Sequence, residues 1–356
     1  MEIRESRKLI QIVPRILPSR CGVSDHALAL ADELRRSFQV ESVFIALNQP
    51  HPVEGVVSCK ADQIEQVCEI WRKRGAESVL AHVSGYGYSK TGIPANLARS
   101  LRILQAGHNY RTAAFFHELY ASGKPWQKAF WYSRLQRRAV RQIAETCDMV
   151  LTNTELHARR LRSESELHCS EVLVRPVFST VGEAEEPLPF AQRLPVMVVF
   201  GLAGSRRRSY MLLQEMKKEL KVLAVESIID IGPESIAPEH VHHIPIYSLG
   251  VLSSSKVIEQ ISRARYGFVP HEPCCVAKSS IFAAYCAHGT IPVLSEAFAT
   301  TFDQLKDGVH LVSKSMICNL DSETIATCSR NAFHWYSAHN LRSQAEFYSR
   351  WVRGEK

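Results

Sequence analysis

The sequence lacks the features that mark membrane-spanning, secreted and disulfide-bonded proteins. No stretch of about 18 apolar residues is present, so no segment predicts a bilayer span. The residues after Met1 lack the basic, apolar and cleavage regions of a signal peptide. The ten cysteines include no CxxC pair, which disfavours a disulfide framework or a zinc site. These absences predict a cytoplasmic protein with reduced, mostly buried thiols.

Charge is modest in amount and uneven along the chain. Charged residues make up 22% of the 356 residues and hydrophobic residues 46%, which is typical of a globular protein and argues against disorder. The formal net charge is +7, and residues 122–163 hold nine Lys and Arg against three Asp and Glu. Most of the positive surplus therefore belongs to one segment. The length predicts two domains, at about 100–200 residues each.

Short β-rich runs alternate with helical patterns, which predicts parallel βαβ units and an α/β fold. The predicted strands of the first half are 8–16, 40–47, 78–88, 112–119, 148–154 and 171–177. After a Pro- and Glu-rich stretch the alternation restarts, with strands at 196–201, 225–232, 266–271, 290–295 and 310–313. We therefore predict two Rossmann-like domains, 1–178 and 196–335, joined by a linker, 179–195. A C-terminal helix is predicted over 336–356.

Ligands of open parallel sheets bind beyond the carboxyl ends of the strands, so the loops after strands are the places to search. Gly22 follows the first strand and opens a helix whose N–H groups suit an anion, although a plain turn explains a single glycine more often. His26 lies in that helix. Tyr86 and Tyr88 stand in a glycine-rich loop after the third strand. Their rings suit a sugar, or else the packed core of the loop.

His117 and Glu118 end a buried strand, where ionisable groups are costly unless they are used or satisfied. A histidine there is suited to bind a substrate hydroxyl or to carry a proton. The alternative is a satisfied histidine at a strand end. We favour the functional interpretation.

The second half carries basic groups after two of its strands. Three consecutive arginines follow the strand at 196–201, where a helix start and guanidinium groups suit a diphosphate, although a solvated charge run is the usual alternative. A second group follows the strand at 266–271, in which Lys278 and a helix start again suit phosphate. Its members are His271, Glu272, Lys278, Ser279 and Ser280. Cys274 and Cys275 are adjacent, so we interpret them as packing residues and expect no metal.

These motifs resemble the GT-B glycosyltransferases of the family 4 type over nearly the whole chain. CGVSDHALALADELR (21–35) resembles their opening loop and helix, and FHELYASG (116–123) their strand-end histidine segment. AAYCAHGTIPV (283–293) and LKDGVHLV (305–312) are similar to their donor-domain pattern in order and spacing. The resemblance implies two domains facing each other across a cleft, with the C-terminal helix crossing back to the first domain.

The resemblance also implies roles for the candidate residues. The second half would bind a nucleoside-diphosphate sugar and the first half the acceptor, in a reaction that retains the anomeric configuration and requires no metal. The catalytic candidates are His117, Glu118 and Glu272. The donor-binding candidates are Gly22, Arg206, Arg207, Arg208, His271, Lys278, Ser279 and Ser280. The acceptor-binding candidates are His26, Tyr86 and Tyr88.

The chain departs from that family at the donor site. Cys275 and Ala283 stand where the family has two glutamates eight positions apart, and Leu202 stands where an arginine usually follows the donor-domain glycine. A second hypothesis is therefore a catalytically impaired GT-B homologue that acts as a binding or regulatory partner.

The basic segment combines aromatic and cationic residues over 124–141, a composition that fits contact with an anionic membrane surface. The alternative is that its aromatic residues pack on the sheet and its charges are merely solvated. A nucleic-acid partner is not expected, because the segment fits no nucleic-acid module. We expect a cytoplasmic protein, with the inner face of a membrane as a candidate location.

Overall fold

The computed structural model describes residues 7–16, 22–121, 126, 128–164, 172–298 and 300–355. The chain divides into two compact units. The N-terminal unit comprises Met1–Arg175 and Leu341–Lys356, and the C-terminal unit comprises Pro176–Asn340. Runs of Val, Ile, Leu and Ala form strands buried on both faces, as parallel sheets require.

The N-terminal unit contains a seven-stranded sheet in which every pairing is parallel. Its order is β3-β2-β1-β4-β5-β6-β7. The strands are β1 (Arg7–Val13), β2 (Val40–Ala46), β3 (Val56–Ser58), β4 (Ala76–Val83), β5 (Arg111–Phe116), β6 (Met149–Thr152) and β7 (Val172–Val174).

Helices connect these strands, as parallel pairing demands. They are α1 (Gly22–Phe38), α2 (Ile64–Arg72), α3 (Gly85–Tyr88), α4 (Ala95–His108), α5 (Lys128–Thr146) and α6 (Glu155–Glu164). A short 3₁₀ helix, Ala61–Gln63, precedes α2.

The C-terminal unit contains a second seven-stranded sheet, with the order β10-β11-β9-β8-β12-β13-β14. Only the edge strand β10 is antiparallel to its neighbour. The strands are β8 (Leu194–Phe200), β9 (Ser227–Ile231), β10 (His240–Val241), β11 (Ile244–Ser248), β12 (Ala264–Phe268), β13 (Ile291–Leu294) and β14 (Val312–Ser313). The sequence patterns did not predict β3, β10 and β11, which are short strands with partly exposed residues.

Six helices complete the C-terminal unit among the described residues, together with the 3₁₀ helices Phe190–Gln192 and Pro273–Lys278. They are α7 (Ala203–Leu213), α8 (Lys217–Val222), α9 (Ser254–Arg263), α10 (Ser280–Ala287), α11 (Lys314–Ile317) and α12 (Ser322–Ser337).

Both sheets reverse direction at a defined point. The chain moves outward from β1 to β3, returns, and continues on the other side from β4, so the reversal lies between β1 and β4. The same reversal lies between β8 and β12 in the other sheet. A doubly wound sheet binds ligands outside the carboxyl ends of the strands at this point. The prediction of two Rossmann-like sheets is therefore confirmed, and it directs attention to two strand-end regions.

The last helix, α13 (Leu341–Arg353), belongs to the N-terminal unit and packs against α1. The Arg111 guanidinium donates to the carbonyl of Trp351 at 2.8 Å, and Arg353 donates to the carbonyl of Phe38 at 2.6 Å. These bonds satisfy carbonyls at two helix ends. The predicted return of the C-terminal helix to the first domain is confirmed.

Tyr348 of α13 tests how much this helix contributes to stability. Its side chain is fully buried, and its hydroxyl has no hydrogen-bond partner among the described residues. Tyr348→Ala removes a large buried ring, so we expect the free energy of unfolding to fall by about 3–5 kcal/mol. Tyr348→Phe removes only the unpartnered hydroxyl and should be neutral or stabilising. Urea denaturation measures both, with the exposed Glu346→Ala as control. Equal loss in the Phe and Ala variants would contradict this account.

Candidate functional site

At the carboxyl end of the N-terminal sheet, a chain of hydrogen bonds runs from β1 to the end of β5. His82 on β4 donates from Nε2 to Gln11 Oε1 on β1 at 2.8 Å. Gln11 in turn donates through its amide nitrogen to Ser42 Oγ at 2.8 Å. On the other side, His82 Nδ1 lies 3.1 Å from Nε2 of His117, which directly follows β5. Four neighbouring strands, β2, β1, β4 and β5, therefore place these side chains together.

His26 of α1 joins the same cluster. Its ring centroid lies 5.0 Å from that of His117 in an edge-on arrangement and 5.8 Å from that of His82. One ring nitrogen from each of the three histidines lies within 4.8 Å of the others. No other group of three or more His, Cys, Asp or Glu comes together in this way among the described residues. All three rings are buried, and His117 keeps the largest exposed fraction, 8%.

Burial keeps the three histidines uncharged at neutral pH. Desolvation lowers the pKa of His82 to about 3. Desolvation also lowers the pKa of His117 and of His26 well below the ordinary value, and the neighbouring imidazoles add to this effect. The cluster is therefore a set of neutral rings, each with one nitrogen that accepts and one that donates.

The hydrogen-bond chain determines which ring nitrogen of His82 and of His117 donates a proton and which accepts one. Because His82 donates from Nε2 to Gln11, its Nδ1 carries the lone pair. His117 must then donate from Nε2 to His82, which leaves the lone pair of His117 on Nδ1. His117 Nδ1 makes no hydrogen bond to a described residue. A substrate hydroxyl that reaches His117 would therefore meet an acceptor.

Glu118 does not share the burial of His117. Its side chain is exposed, and one carboxylate oxygen accepts a 3.5 Å bond from Ser84 Oγ. Asn153, which directly follows β6, donates from Nδ2 to the carbonyl of His117 at 3.0 Å. The Asn153 Oδ1 atom is buried and has no partner among the described residues. This asparagine thus holds the backbone of His117 in place and leaves one polar atom unused.

The glycine- and tyrosine-rich segment forms the short helix α3. A Cβ on Gly85 would lie 2.4 Å from the carbonyl oxygen of Gly92, so packing alone requires a glycine there. The Tyr88 hydroxyl faces the carbonyls of His82 and Ile12 at 2.9 and 3.1 Å, which ties it to the sheet. Tyr86 is exposed and receives a 3.3 Å bond from the amide nitrogen of Gln136. Of the two tyrosines, Tyr86 is the one whose ring remains accessible.

Gly22 is the first residue of α1, and no atom lies within 4 Å of where its Cβ would be. Packing among the described residues does not require a glycine there. Residues 17–21, which hold most of the predicted loop, lie outside the described part of the chain.

In the C-terminal unit, the three arginines lie inside helix α7 and not before it. The sequence pattern placed the helix start near 209, but α7 begins at Ala203. Successive residues of a helix are rotated by about 100°, so Arg206 and Arg208 point in nearly opposite directions. The three guanidinium groups therefore have different environments.

Arg206 is fully buried and is used by the fold. Its guanidinium pairs with the Asp230 carboxylate of β9 and donates to the carbonyls of Pro233 and Glu234. The Tyr210 hydroxyl donates to the other Asp230 oxygen at 2.6 Å. This buried network satisfies a carboxylate that would otherwise be costly inside the sheet. The predicted donor-binding role of Arg206 therefore has no support from this geometry, because its guanidinium is occupied within the fold.

Arg207 and Arg208 are both exposed but differ in their partners. Arg207 Nη2 lies 3.2 Å from the Glu234 carboxylate, in a pair that is about 60% exposed on both sides. Such a surface pair contributes little to stability. Arg208 forms no ion pair with a described acidic residue and instead faces His271 electrostatically. Arg208 is thus the arginine of this run that the fold leaves available.

His271, three residues beyond β12, is near enough to two cations to interact with both of them electrostatically. Desolvation, then Lys278 and Arg208, lower the pKa of His271 to about 4, so this imidazole is neutral. Its Nδ1 atom is buried and has no partner among the described residues. Lys278 is half buried and forms no ion pair with a described acidic residue. Two unpaired cations and an unpartnered ring nitrogen therefore converge at the β8/β12 end of the sheet.

The rest of the predicted donor group lies on the turn that leads into α10. Glu272 is exposed and precedes the 3₁₀ helix Pro273–Lys278. Ser279 caps α10, because its hydroxyl oxygen accepts from the N–H of Phe282 at 3.3 Å. Ser280 is the first residue of α10. Cys274 and Cys275 are half buried with their sulfur atoms 3.7 Å apart.

Three residues that support the His117 cluster were not predicted from the sequence: Gln11, His82 and Asn153. Gln11 and His82 are polar residues inside otherwise apolar strands, LIQIV and VLAHV, and that placement is itself a signal, because a buried polar group needs a partner. Nothing in the sequence shows that the two strands are neighbours, so the pairing of the two side chains was not predictable.

Comparison with known proteins gives structural matches only. No protein-family model and no curated protein sequence matches this chain. Three similar solved structures are an α-glucosyltransferase in complex with UDP and a DNA 13-mer, an E. coli trehalose-6-phosphate protein bound with UDP-2-fluoro glucose, and the lipopolysaccharide outer core galactosyltransferase WaaB. Their TM-scores are 0.60, 0.59 and 0.54, with 11%, 11% and 9% identity. The matches cover 97–98% of this chain and 99–100% of the other chains.

The chain has the GT-B fold. A match over the full length of both chains, with two Rossmann-like sheets and a C-terminal helix on α1, supports that assignment. The fold predicted from the resemblance is confirmed, whereas identities near 10% do not carry donor, acceptor or pathway from one protein to another.

The burial of Arg206 leads to a prediction that separates it from its neighbour. Arg206→Ala leaves the Asp230 carboxylate buried without its cation, so we expect a loss of about 3–5 kcal/mol in the free energy of unfolding. Arg207→Ala removes only an exposed pair and should cost less than about 1 kcal/mol. Chemical denaturation of the two variants tests this. Similar stability in both would show that the Arg206–Asp230 pair does not support the sheet.

Proposed function

We propose that this protein is a glycosyltransferase that moves a sugar from a nucleoside-diphosphate sugar to an acceptor hydroxyl. The observation that carries the proposal is the convergence of Arg208, Lys278 and His271 beyond the β8/β12 reversal of a GT-B fold. That end of a doubly wound sheet is where nucleotides bind. UDP or a UDP sugar is bound in two of the similar structures, which favours the same class of donor here.

The convergent cations suit the departure of the leaving group. Cleavage of the bond between the sugar and the diphosphate leaves negative charge on the phosphate oxygens. Arg208 and Lys278 have no acidic partner among the described residues, so their charge is available to stabilise that diphosphate. Ser280 and Ser279 would add N–H and hydroxyl donors at the start of α10. No metal is needed for this stabilisation.

In the N-terminal unit, His117 is the group we assign to the acceptor hydroxyl or to the donor sugar. The tautomer that His82 and Gln11 impose leaves Nδ1 as an acceptor, which binds a sugar hydroxyl through its proton. In this proposal His26, which lies beside His117, and the exposed Tyr86 are the further candidates for contact with the acceptor. Glu118 and Glu272 are both exposed carboxylates at strand ends and remain candidates for catalysis. Retention of the anomeric configuration is part of the proposal.

The second candidate is a GT-B homologue that binds a donor or a partner without turnover. This candidate is favoured by the absence of a carboxylate at two positions, Cys275 and Ala283, where the family that this chain resembles has glutamates. Ala283 is 1% exposed within α10, and Cys275 is half buried with a pKa that burial raises to about 11. Neither side chain supplies a carboxylate for the ribose or for catalysis. Binding of a nucleoside diphosphate without sugar transfer would favour this candidate.

The test of the first candidate is nucleotide release from a panel of UDP, GDP and ADP sugars, with simple glycosides as acceptors. We expect Arg208→Ala and Lys278→Ala each to reduce kcat/KM by about 10²–10³-fold, because each removes a donor to the developing diphosphate charge. The control is Lys221→Ala, an exposed cation on α8 that should keep the activity of the parent protein.

The outcomes distinguish the two candidates. Turnover that Arg208→Ala and Lys278→Ala abolish, and Lys221→Ala spares, supports the transferase. Saturable binding of a nucleoside diphosphate without release of sugar from any donor supports the non-catalytic homologue. Turnover that is unchanged in both variants would remove the assigned phosphate site.

A second part of the proposal concerns helix α5 as a contact surface for anionic lipid. Trp131 is 71% exposed, and Leu135, Arg134 and Arg138 are exposed on the same side of the helix, at spacings of three and four residues. Trp126, just before the helix, is 76% exposed. The two tryptophans therefore do not pack on the sheet, contrary to the alternative interpretation of this segment. Lys124, Pro125 and Gln127 lie outside the described residues.

The chemistry of this face indicates its partner. Exposed Trp and Leu side chains enter the boundary between headgroups and acyl chains, while Arg134 and Arg138 meet anionic headgroups. Neither arginine forms an ion pair with a described acidic residue, whereas Arg137 and Arg141 face Glu164 and Glu145. No described helix is both long and apolar enough to cross a bilayer. We assign the face to peripheral contact.

Vesicle co-sedimentation at low salt tests the assignment. It compares the fraction of protein bound to vesicles that contain about 30% anionic lipid with the fraction bound to neutral vesicles. Each surface arginine contributes about 1 kcal/mol, so Arg134→Gln with Arg138→Gln should weaken binding about 30-fold. Trp131→Ala should weaken it also, whereas Lys221→Ala should not. Equal binding to neutral vesicles, no binding to anionic ones, or stronger binding to a DNA duplex than to vesicles would each overturn the lipid assignment.

A further inference from the structure

The histidine cluster of the N-terminal unit contains more histidines than contact with a substrate hydroxyl requires. A single histidine, His117, would serve a substrate hydroxyl. Two further buried histidines accompany it, His26 from α1 and His82 from β4. Burying polar rings in one place costs free energy unless they have partners. The three rings are uncharged, which is the form in which imidazole binds metal ions.

The nitrogen positions fit a small metal ion. Zinc binds histidine nitrogen at about 2.05 Å, so two ligands 3.1 Å apart subtend about 98° at the ion, near the tetrahedral value. His82 Nδ1 and His117 Nε2 are separated by this 3.1 Å. One nitrogen from each of the three rings lies within 4.8 Å of the other two, so His26 must approach by at most about 1.5 Å to complete the set.

The surroundings of His82 match the support that metal-binding histidines have. A ligating histidine usually donates its second N–H to a carbonyl or carboxylate oxygen, which directs its lone pair toward the ion. His82 donates from Nε2 to the Gln11 side-chain oxygen at 2.8 Å, and Ser42 accepts from the Gln11 amide at 2.8 Å. The lone pair of His82 Nδ1 therefore points to the center of the cluster and cannot rotate away without loss of this bond.

We infer that His26, His82 and His117 form a binding site for one divalent transition-metal ion of the zinc type. The three histidines supply three ligands, and the remaining coordination position lies open on the side of His117, whose ring keeps the exposed fraction of the cluster. This inference goes beyond the proposed transferase activity and does not rest on it.

Metal binding requires one internal proton shift and no net release. Without an ion, His117 carries its proton on Nε2 and donates to His82 Nδ1. On binding, the ion takes the lone pairs of His82 Nδ1 and His117 Nε2, and the proton of His117 moves to Nδ1 through solvent. His117 Nδ1 then becomes a donor instead of an acceptor. Occupancy of the site would thus reverse the hydrogen bond that His117 offers to a substrate.

Titration of the full-length protein with Co²⁺ and Zn²⁺, after chelator treatment, tests the inference. We expect one equivalent to bind, with the intense visible absorption of four-coordinate Co²⁺ and without a thiolate-to-cobalt charge-transfer band. Zn²⁺ should displace the Co²⁺. Absence of binding, or a spectrum with thiolate bands, overturns the inference, because the cluster contains no cysteine.

Variants show whether the bound ion occupies this cluster. His26→Ala and His82→Gln should abolish the Co²⁺ spectrum. Because a buried change can unfold the unit, Gln11→Leu provides a milder variant that should weaken Zn²⁺ binding about 10–100-fold through loss of the support to His82. The matched control is His157→Gln, which alters a buried histidine of the same unit outside the cluster. Unchanged affinity in a folded Gln11→Leu or His82→Gln variant would overturn the assignment.

Discussion

The constraint on which the structure depends is that polar side chains inside its two parallel sheets must find partners. The inner strands of both sheets are covered on both faces, so a polar group within one of them cannot reach water. In the C-terminal unit, Asp230 of β9 meets this constraint by pairing with Arg206 and Tyr210. In the N-terminal unit, Gln11 and His82 meet it by bonding each other. The Gln11–His82 pair joins the two strands, β1 and β4, between which the order of the N-terminal sheet reverses, and Asp230 lies on β9, next to β8.

This constraint separates groups that belong to the fold from groups that remain available for chemistry. Arg206 and Arg208 are two residues apart on α7, and the helical rotation sends one into the sheet network and the other to the surface beside His271. The same separation occurs between His117 and Glu118, where the buried ring joins the histidine chain and the carboxylate faces solvent. In each pair, two residues that are close in sequence have different environments, one inside a buried network and the other at the surface.

The sequence was sufficient for what depends on local pattern and insufficient for what depends on neighbours in space. Alternating strands and helices and the restart of this alternation in the second half follow from apolar periodicity, and both are present. The placement of the final helix on the first domain followed from the family resemblance, and it is present too. The run of arginines showed where cations lie but not which one is buried, because that depends on where α7 begins. The partnership of Gln11 with His82 depends on the adjacency of β1 and β4, which lie more than sixty residues apart in sequence. The sequence also did not show whether Trp131 is exposed, because an aromatic residue at helical spacing occurs on buried helix faces as well as on exposed ones.

The two histidine environments limit how the chemistry is divided between the units. The neutrality of His271 follows first from burial and then from the positive charge of Lys278 and Arg208, and an anion bound there would favour its protonated form. His117 is neutral because of burial among other imidazoles, and an anion bound elsewhere would change it little. His271 is therefore suited to respond to a diphosphate, whereas His117 keeps one fixed tautomer through His82 and Gln11. A transferase needs both properties, because the leaving group gains charge during the reaction while the acceptor hydroxyl must be held in one orientation. The missing glutamates remove neither property, since neither histidine takes its charge state from Cys275 or Ala283.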